Sequence, residues 1–286
     1  MAILKGTRGD DALEGTRRND FIWANDGNDE VHGDAFNLEG ADRGGDDWLS
    51  GGDGIDGLIG DAVALRDTAQ GGRDKLFGDR GDDVLIGDGT LFNDAVGGDD
   101  TLVGGRGADF LAGDGSIFEN GRGGDDWLSG GAGDDQIGGD GGTLLDNAVG
   151  GDDTLYGGDG RDTLWGDGIT MFYTAQGGDD RLFGGDGADR IFGDAEATEA
   201  TAQGGDDHLF GGRGNDWLDG GSGEDRIDGG RGQDTAAFNG ERAAFTIAER
   251  RGDFVVTEIA TGERDIVTDV EFLAFHDVTL DTQLIG

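Results

Sequence analysis

The chain has 286 residues, of which 63 are Asp or Glu and 21 are Lys or Arg, so its formal charge is −42. A polyanion of this strength repels phosphate, which excludes nucleic acid as a partner. Cysteine is absent, which excludes disulfides and thiolate metal sites. No apolar run reaches the roughly 18 residues that a transmembrane helix needs.

The 64 glycines, the missing proline and a mean hydropathy of −0.49 are typical of a chain that is disordered by itself. Two features argue against simple disorder: the aromatic content is 8%, and the apolar residues recur at a fixed phase. The composition therefore predicts a chain that folds together with counter-ions. Because the repeats begin at Gly6, we expect no cleaved leader and no catalytic module ahead of them.

A nine-residue pattern, G-G-x-G-x-D-x-U-x with U apolar, runs through the chain and is complete at residues 211–219. Nineteen units fit this frame, and the eighth position is Leu, Ile or Val in all of them except the last, which has Ala236. Repetition at a fixed period is typical of stacked architectures. The sixth position is aspartate in every unit: Asp11, Asp20, Asp29, Asp47, Asp56, Asp74, Asp83, Asp100, Asp109, Asp126, Asp135, Asp153, Asp162, Asp180, Asp189, Asp207, Asp216, Asp225 and Asp234.

Seven segments of eight or nine residues interrupt the frame, at 33–41, 60–68, 87–94, 113–120, 139–147, 166–174 and 193–201. Read as a further unit, none has Leu, Ile or Val at its eighth position, and only Ala200 there is small and apolar. We therefore expect loops, inserted once per turn, that do not supply an inward strand residue. Each opens with Gly-Asp, at Asp34, Asp61, Asp88, Asp114, Asp140, Asp167 and Asp194.

The frame predicts an all-β fold, a parallel β-roll built as a right-handed β-helix of 18-residue coils. Successive units alternate between two sheets, so that all seven inserts leave from one edge and stack as a ladder. With coils about 4.8 Å apart over roughly nine and a half turns, the roll would be on the order of 45 Å long. The apolar U residue of each short strand points inward and its two neighbours point outward.

Stacked turns would bring carboxylates within a few ångströms of one another, which is repulsive unless cations lie between them. Glycines let backbone carbonyl oxygens converge without obstruction by a Cβ atom. Ca²⁺ prefers six to eight oxygen ligands in flexible geometry, whereas Mg²⁺ needs a tighter octahedron and zinc prefers His or Cys. The pattern therefore predicts calcium as a structural element.

Over residues 6 to about 236 these repeats resemble the RTX, or hemolysin-type calcium-binding, family. The resemblance implies that each ion lies between turns of adjacent coils, bound by the sixth-position aspartates and by glycine carbonyls. On this chain it implies up to about 17 calcium ions. The aspartates that open the inserts are open to two interpretations, as ligands of extra calcium or as residues that start a turn.

After residue 236 the pattern ends, and residues 237–286 are predicted to form a small β cap over the open end of the roll. This part resembles the ending of serralysin-like secreted proteins, which carry an uncleaved type I secretion signal. The matching residues are Asn239, Gly240, Arg242, Val270, Glu271, Leu273, Phe275 and Asp277. Strands are expected at 243–247, 253–257, 266–270 and 272–275, with a turn at 261–263.

We find no catalytic motif and assign no catalytic or organic-cofactor site. His32, His208 and His276 lie far apart in the sequence and form no ligand motif. Large apolar residues at outward ninth positions have two interpretations, since the inserts could fold back over them or leave them exposed to bind a partner. They are Phe77, Val103, Tyr156, Trp165, Phe183, Phe192 and Phe210.

The sequence thus predicts a secreted, extracellular calcium-binding protein that folds on Ca²⁺ outside the cell and acts as a binding or structural module. Its expected partners are calcium ions, with self-association or a surface or polysaccharide ligand as further options. The alternatives are a membrane-active secreted RTX protein and an enzyme with its site in the ladder of inserts. An ice-binding roll is disfavoured because no regular outward column of Thr is present.

Overall fold

The computed structural model describes residues 1–199, 201–250 and 252–285. Two long sheets face each other, and up to Thr235–Ala237 the repeat strands alternate between them along the chain. Sheet A has 13 strands and sheet B has 12. All pairs between repeat strands are parallel, which confirms the predicted parallel β-roll.

In spatial order, the strands of sheet A are Ile3–Lys5, Phe21–Asp26, Trp48–Asp53, Lys75–Arg80, Thr101–Arg106, Trp127–Ala132, Thr154–Gly160, Arg181–Gly187, His208–Gly214, Arg226–Gly232, Arg264–Thr268, Asp253–Glu258 and Phe245–Arg250.

In the same order, the strands of sheet B are Ala12–Glu14, Glu30–His32, Gly57–Ile59, Val84–Ile86, Phe110–Ala112, Gln136–Gly138, Thr163–Trp165, Arg190–Phe192, Trp217–Asp219, Thr235–Ala237, Phe272–Ala274 and Thr279–Asp281.

The main core lies between the two sheets and consists of the eighth-position residues. Those of consecutive coils pair directly, as Leu102 does with Leu128 in sheet A and Leu111 with Ile137 in sheet B. From Ile22 to Leu218 every one of them is fully buried, and so is Ala236. One aliphatic side chain per short strand therefore makes a continuous column, as the frame predicts.

The turn length depends on whether a coil carries an insert. Coils with an insert have 26 or 27 residues, as between Asp74 and Asp100 or between Asp47 and Asp74. The coils that end at Asp29 and Asp234 have 18. The seven inserts leave from one edge and stack in register, as predicted.

The expectation that the inserts are loops without an inward strand residue is wrong. They form two short parallel sheets, which isolated bridges through Ile117 join into one ladder. A second ladder of bridges, from Arg43 to Gln203, closes the base of the inserts. The insert strands are Asn37–Leu38, Ala64–Leu65, Thr90–Leu91, Gly141–Leu144, Gly168–Met171 and Ala197–Thr198; Ala200 lies outside the described residues.

The inserts have a hydrophobic core of their own. Leu91 and Leu144 are fully buried there, and each is followed four residues later by a fully buried alanine, Ala95 or Ala148. A left-handed residue between the two turns the chain back, as at Asn93 with φ 62°. The remaining residues of this core, some of them at the start of the following repeat, are Leu38, Ala62, Leu65, Ala69, Ile117, Met171, Ala175 and Ala202.

The outward apolar residues divide between the two sheets. On sheet B, Trp165 and Phe192 are only 5% exposed, in agreement with inserts that cover this face. On sheet A, Phe77, Val103, Tyr156, Phe183 and Phe210 stay half-buried. The inserts therefore cover Trp165 and Phe192 on sheet B, whereas the apolar residues of sheet A stay partly accessible; partner binding by them remains a prediction.

The C-terminal strands extend both sheets and close one end of the core. Strand Arg264–Thr268 pairs with sheet A and strand Phe272–Ala274 with sheet B, both in parallel, while the remaining C-terminal strands are antiparallel. The expected strands are present, except that Arg242–Ala244 forms a 3₁₀ turn ahead of strand Phe245–Arg250; a second 3₁₀ turn spans Thr282–Leu284. Phe238, Phe245 and Phe275 pack together at this end.

Leu144→Ala tests whether the inserts are packed structure. Leu144 is fully buried and its neighbour Leu145 only partly, so the two leucines form a matched pair. We expect Leu144→Ala to lower the free energy of unfolding in excess calcium by about 2–5 kcal/mol. Leu145→Ala should cost clearly less when both are measured by denaturant unfolding; equal losses would mean that the insert core does not support the fold.

Candidate metal centre

The sixth-position aspartates form two ladders, one along each edge of the roll. Each aspartate directly precedes a strand, and from Asp11 to Asp216 its N–H donates to Oδ1 of the sixth-position aspartate in the next coil. On the sheet A side Asp100 N–H donates to Asp126 Oδ1 over 2.7 Å, and on the sheet B side Asp109 N–H donates to Asp135 Oδ1 over 2.8 Å. One carboxylate oxygen per coil thus fixes the register of the turns.

The second carboxylate oxygen has no protein partner along most of both ladders. In sixteen of these aspartates Oδ2 is buried and accepts no hydrogen bond from the described residues. It lies beside a glycine carbonyl of the next coil: a Cβ atom at Gly87 would collide with Asp100 Oδ2 and with Gly113 O. On the other edge, a Cβ atom at Gly104 would meet Asp109 Oδ2 and Gly130 O. Carboxylate and carbonyl oxygens therefore converge on space that only glycine leaves open.

This arrangement is costly for a chain without bound cations. Burial raises the pKa of Asp83 and Asp162 to about 7 and that of Asp56 and Asp135 to about 6, and neighbouring carboxylates add to the rise. On the sheet A side burial raises the pKa of residues such as Asp100 well above the usual range, again with help from neighbouring aspartates. Buried carboxylates without partners are destabilising unless a cation or a proton neutralises them.

The donor set suits calcium. It consists of carboxylate and carbonyl oxygens only, which are the ligands that Ca²⁺ prefers. Within the described residues, no three acidic or histidine side chains form a ready-made cluster. Each ion would therefore combine the carboxylates of adjacent coils with backbone carbonyl oxygens, so the residues present fit the ion.

Comparison with protein families agrees with this geometry. The family model of the RTX calcium-binding nonapeptide repeat matches residues 5–37, 68–89, 94–116, 120–143, 147–168, 173–197 and 201–236. These segments cover more than half of the chain.

The chain belongs to the RTX calcium-binding family. Its repeats bind calcium ions, and the β-roll described above is consistent with an RTX roll. A search of curated proteins finds no matching relative. In the part of the chain that the structure describes, no helix has the length and apolarity to cross a membrane.

The structure brings the predicted RTX aspartates together in the predicted order. From Asp20 to Asp234 all of them are at most 4% exposed. Asp11 and Asp20, at the first coils, differ from the rest because Thr7 and Thr16 donate to their second oxygen. The three histidines are not near one another in the strand order, as His32 lies in sheet B and His208 in sheet A.

Two residues of the ladders were not predicted. Asp225 N–H donates to Asp265 Oδ1 over 3.1 Å, and Asp234 N–H donates to Glu271 Oε2 over 2.9 Å. Asp265 and Glu271 therefore continue the RTX ladders into the C-terminal strands. The signal that identifies them is the spacing, since each lies two residues before a fully buried apolar residue, Val267 or Leu273, just as each repeat aspartate lies two residues before an inward apolar residue.

The aspartates that open the inserts are also buried. All seven are at most 2% exposed. Burial raises the pKa of Asp61, Asp114 and Asp140 well above the usual range, and the charges of neighbouring aspartates raise it further. These residues run as a third column beside the sheet A ladder.

Calcium binding is expected to weaken as the pH falls. The folded-state pKa of Asp83 and Asp162, about 7, lies above the value of about 3.9 for an unfolded aspartate. The stability that these protonated carboxyl groups contribute to the metal-free fold is therefore fully present below about pH 4. This contribution is lost as the pH rises through 6–7. Protons compete with calcium, so each carboxyl can weaken binding by up to about tenfold per pH unit below its pKa.

We therefore expect the calcium midpoint of folding, followed by circular dichroism, to rise steadily from pH 8 to pH 5. In chelator, the β signal should be larger at pH 4–5 than at pH 8. A calcium midpoint that is the same at pH 5 and pH 8 would show that these carboxylates do not exchange protons for the ion.

Proposed function

We propose that this RTX protein is secreted, folds on calcium outside the cell and acts there as a binding or structural module. The nineteen sixth-position aspartates are the proposed ligands. The observation that carries the proposal is the buried, unpartnered Oδ2 oxygen that repeats in coil after coil.

Folding and export are linked through calcium. Intracellular free calcium is too low to fill weak sites, so the chain stays extended and exportable, whereas extracellular modules bind with Kd around 10⁻⁴–10⁻³ M. Outside the cell, ion binding becomes folding free energy. RTX proteins are typically secreted, which supports this order of events. We assign the export signal, of type I, to residues 237–286.

A calcium titration of wild type, Asp100→Asn and Asp99→Asn tests the ligand assignment. Asp100 is 2% exposed and Asp99 is exposed, although the two are adjacent and both substitutions remove one charge. In excess chelator at pH 7.5 we expect a disordered circular dichroism spectrum, and in calcium a β spectrum. Asp100→Asn should raise the calcium midpoint several-fold, because it removes the charge and the free oxygen that face the gap between coils, while Asp99→Asn should not.

Two results would contradict the proposal: a folded wild-type roll in chelator, or equal midpoints for the two variants. Thermal unfolding in excess calcium serves as the control for folding of both variants.

The outward side of sheet A, from Phe21 to Asp228, is the face we propose for binding; we call it the aromatic face. Its rings stack along the roll: Tyr156, Phe183 and Phe210 have centroids 4.8 Å apart, with planes within 6° of parallel. Trp127 adjoins this stack through Tyr156, and Trp48 stacks separately on Phe77; the two tryptophans are 40% and 37% exposed. Since the stacked rings cover one another's faces, their edges point outward.

The charge of the aromatic face differs from that of the rest of the chain. Of the 18 outward residues at its seventh and ninth positions, only Asp228 is acidic. Arg181, His208 and Arg226 follow one another in a single column. Burial lowers the pKa of His208, and the positive charges of the two neighbouring arginines lower it further. Within the described residues, Lys75, Arg181 and Arg226 form no ion pair.

Arginine guanidinium groups bind carboxylate and sulfate oxygens, and the edges of aromatic rings carry positive partial charge. The chemistry of the face therefore fits an anionic polymer with apolar ring surfaces. We propose an anionic surface polysaccharide as its ligand.

Arg181→Ser/Arg226→Ser is expected to weaken binding to polygalacturonate at least tenfold, measured by affinity electrophoresis or by calorimetry in calcium. The matched control is Arg161→Ser/Arg213→Ser, which removes the same charge from arginines that pair with Asp134 and Asp186 at the turns. Equal losses in both variants would indicate bridging by calcium or unspecific attraction. The wild type could instead form dimers in analytical ultracentrifugation that Arg181→Ser/Arg226→Ser abolishes and Arg161→Ser/Arg213→Ser does not. In that case the ligand of the aromatic face would be a second copy of the chain and not a polysaccharide.

A further inference from the structure

The aspartates that open the inserts use one carboxylate oxygen to close the insert. The N–H of the second glycine in the following Gly-Gly pair donates to this oxygen, as Gly124 does to Asp114 over 2.8 Å and Gly178 does to Asp167 over 2.9 Å. This bond joins the two ends of an insert 10 or 11 residues apart. A role in starting the insert is therefore real, but it occupies only one of the two oxygens except at Asp140, where Gly151 N–H donates to both.

The other oxygen is buried without a partner in five of the seven residues. The unpartnered atoms accept no hydrogen bond from any described residue, although their side chains are fully buried. None of the seven forms an ion pair with a described basic residue. The unpartnered atoms are Asp34 Oδ1, Asp61 Oδ1, Asp88 Oδ1, Asp114 Oδ1 and Asp167 Oδ2.

These oxygens point into the gaps between coils. Asp61 Oδ1 lies against Gly44 and Asp114 Oδ1 lies against Gly97, and both glycines belong to the preceding coil. Asp88 is close enough to act electrostatically on Asp61 of the preceding insert and on Asp100 of its own coil. Each gap beside the sheet A ladder therefore collects carboxylates from two columns.

At the end of this column of aspartates, the protein supplies hydrogen-bond donors that the aspartates inside the column do not have. Asp194 is the last member, and the coil that follows has no insert. Here the protein itself supplies the donors, because the N–H and the hydroxyl of Ser222 donate to Asp194 Oδ2 over 2.9 Å and 3.2 Å. Inside the column the next coil offers another carboxylate instead of a hydroxyl. The neutralising partner must then come from outside the chain, as a proton or as a cation.

We propose that the aspartates opening the inserts form a third line of calcium sites, each shared between two successive coils, beside the two lines of the nonapeptide repeats. Carboxylate oxygens arranged around a glycine-lined gap favour calcium over softer ions. The proposal uses the calcium binding of the family but does not depend on which repeat aspartates are ligands.

Substitution by asparagine distinguishes calcium sites from protonated carboxyl groups. Asparagine has the shape of a protonated aspartate and can still accept the glycine N–H, so a ladder of protonated carboxyls would tolerate it, whereas a calcium site would lose a charged ligand. The test variant is Asp88→Asn/Asp114→Asn. Its control, Asp67→Asn/Asp146→Asn, removes the same charge at exposed left-handed positions of the inserts, where another insert carries Asn93.

Bound calcium is counted by equilibrium dialysis with atomic absorption, or by native mass spectrometry, at pH 7.5 and saturating calcium. We expect the test variant to bind at least two ions fewer than wild type and the control to bind the wild-type number. Circular dichroism reports folding of every variant, and Asp114→Asn alone enters the same count if the double variant does not fold.

If the folded test variant binds as many calcium ions as wild type, the proposal is overturned. The aspartates that open the inserts would then be neutralised by protons. That result would leave intact the calcium-dependent folding of wild type and the effect of Asp100→Asn, so the two proposals fail separately.

Discussion

The roll depends on one repeated contact, the hydrogen bond from the N–H of an aspartate to the carboxylate of the aspartate one coil later. Asp126 is an example: its carboxylate accepts a hydrogen bond from Asp100 N–H, its own N–H donates to Asp153, and its second oxygen has no hydrogen-bond partner among the described residues. Replacing the carboxylate would therefore remove a register bond together with the proposed ion ligand. The apolar column cannot hold the register alone, because leucine side chains stack without directional bonds.

The two edges of the roll are not equivalent. Along the sheet B edge one carboxylate per coil faces the gap, and burial raises the pKa of Asp56 to about 6 and that of Asp83 to about 7. Along the sheet A edge the inserts cover the turns and add a second carboxylate, and burial raises the pKa of Asp153 well above the usual range. The inserts thus increase both the apolar area that is buried and the charge that must be neutralised. Calcium is expected to contribute more to folding on this edge, because here burial and like charge oppose the metal-free state more strongly.

The regular part of the structure could be predicted from the sequence because each aspartate lies two residues before an inward apolar residue. The inserts were missed because only the eighth position of the nonapeptide frame was tested for an inward residue. Their own pattern has a different spacing, in which an apolar residue is followed four positions later by alanine, as in Leu65 and Ala69. Ile117 is followed by Gly121 instead, since a Cβ atom there would meet the branched side chain of Ile117 at 2.8 Å. Whether an outward aromatic is covered could not be predicted, because Trp165 and Tyr156 occupy the same frame position and differ only in which sheet the inserts cover.

The net charge of the chain is largely a property of its interior. Twenty-five aspartates are buried, and they are the only buried polar or charged side chains among the described residues. Removing them from the formal charge of −42 leaves −17 for the surface. A folded roll with its ions bound is therefore a much weaker polyanion than its composition indicates. This explains how a chain with three times as many acidic as basic residues can present the aromatic face, where Arg181 and Arg226 are not outnumbered by carboxylates. If calcium drives folding as we propose, it does more than close the fold, because the buried acidic residues leave the proposed binding face with Asp228 as its only outward acidic residue.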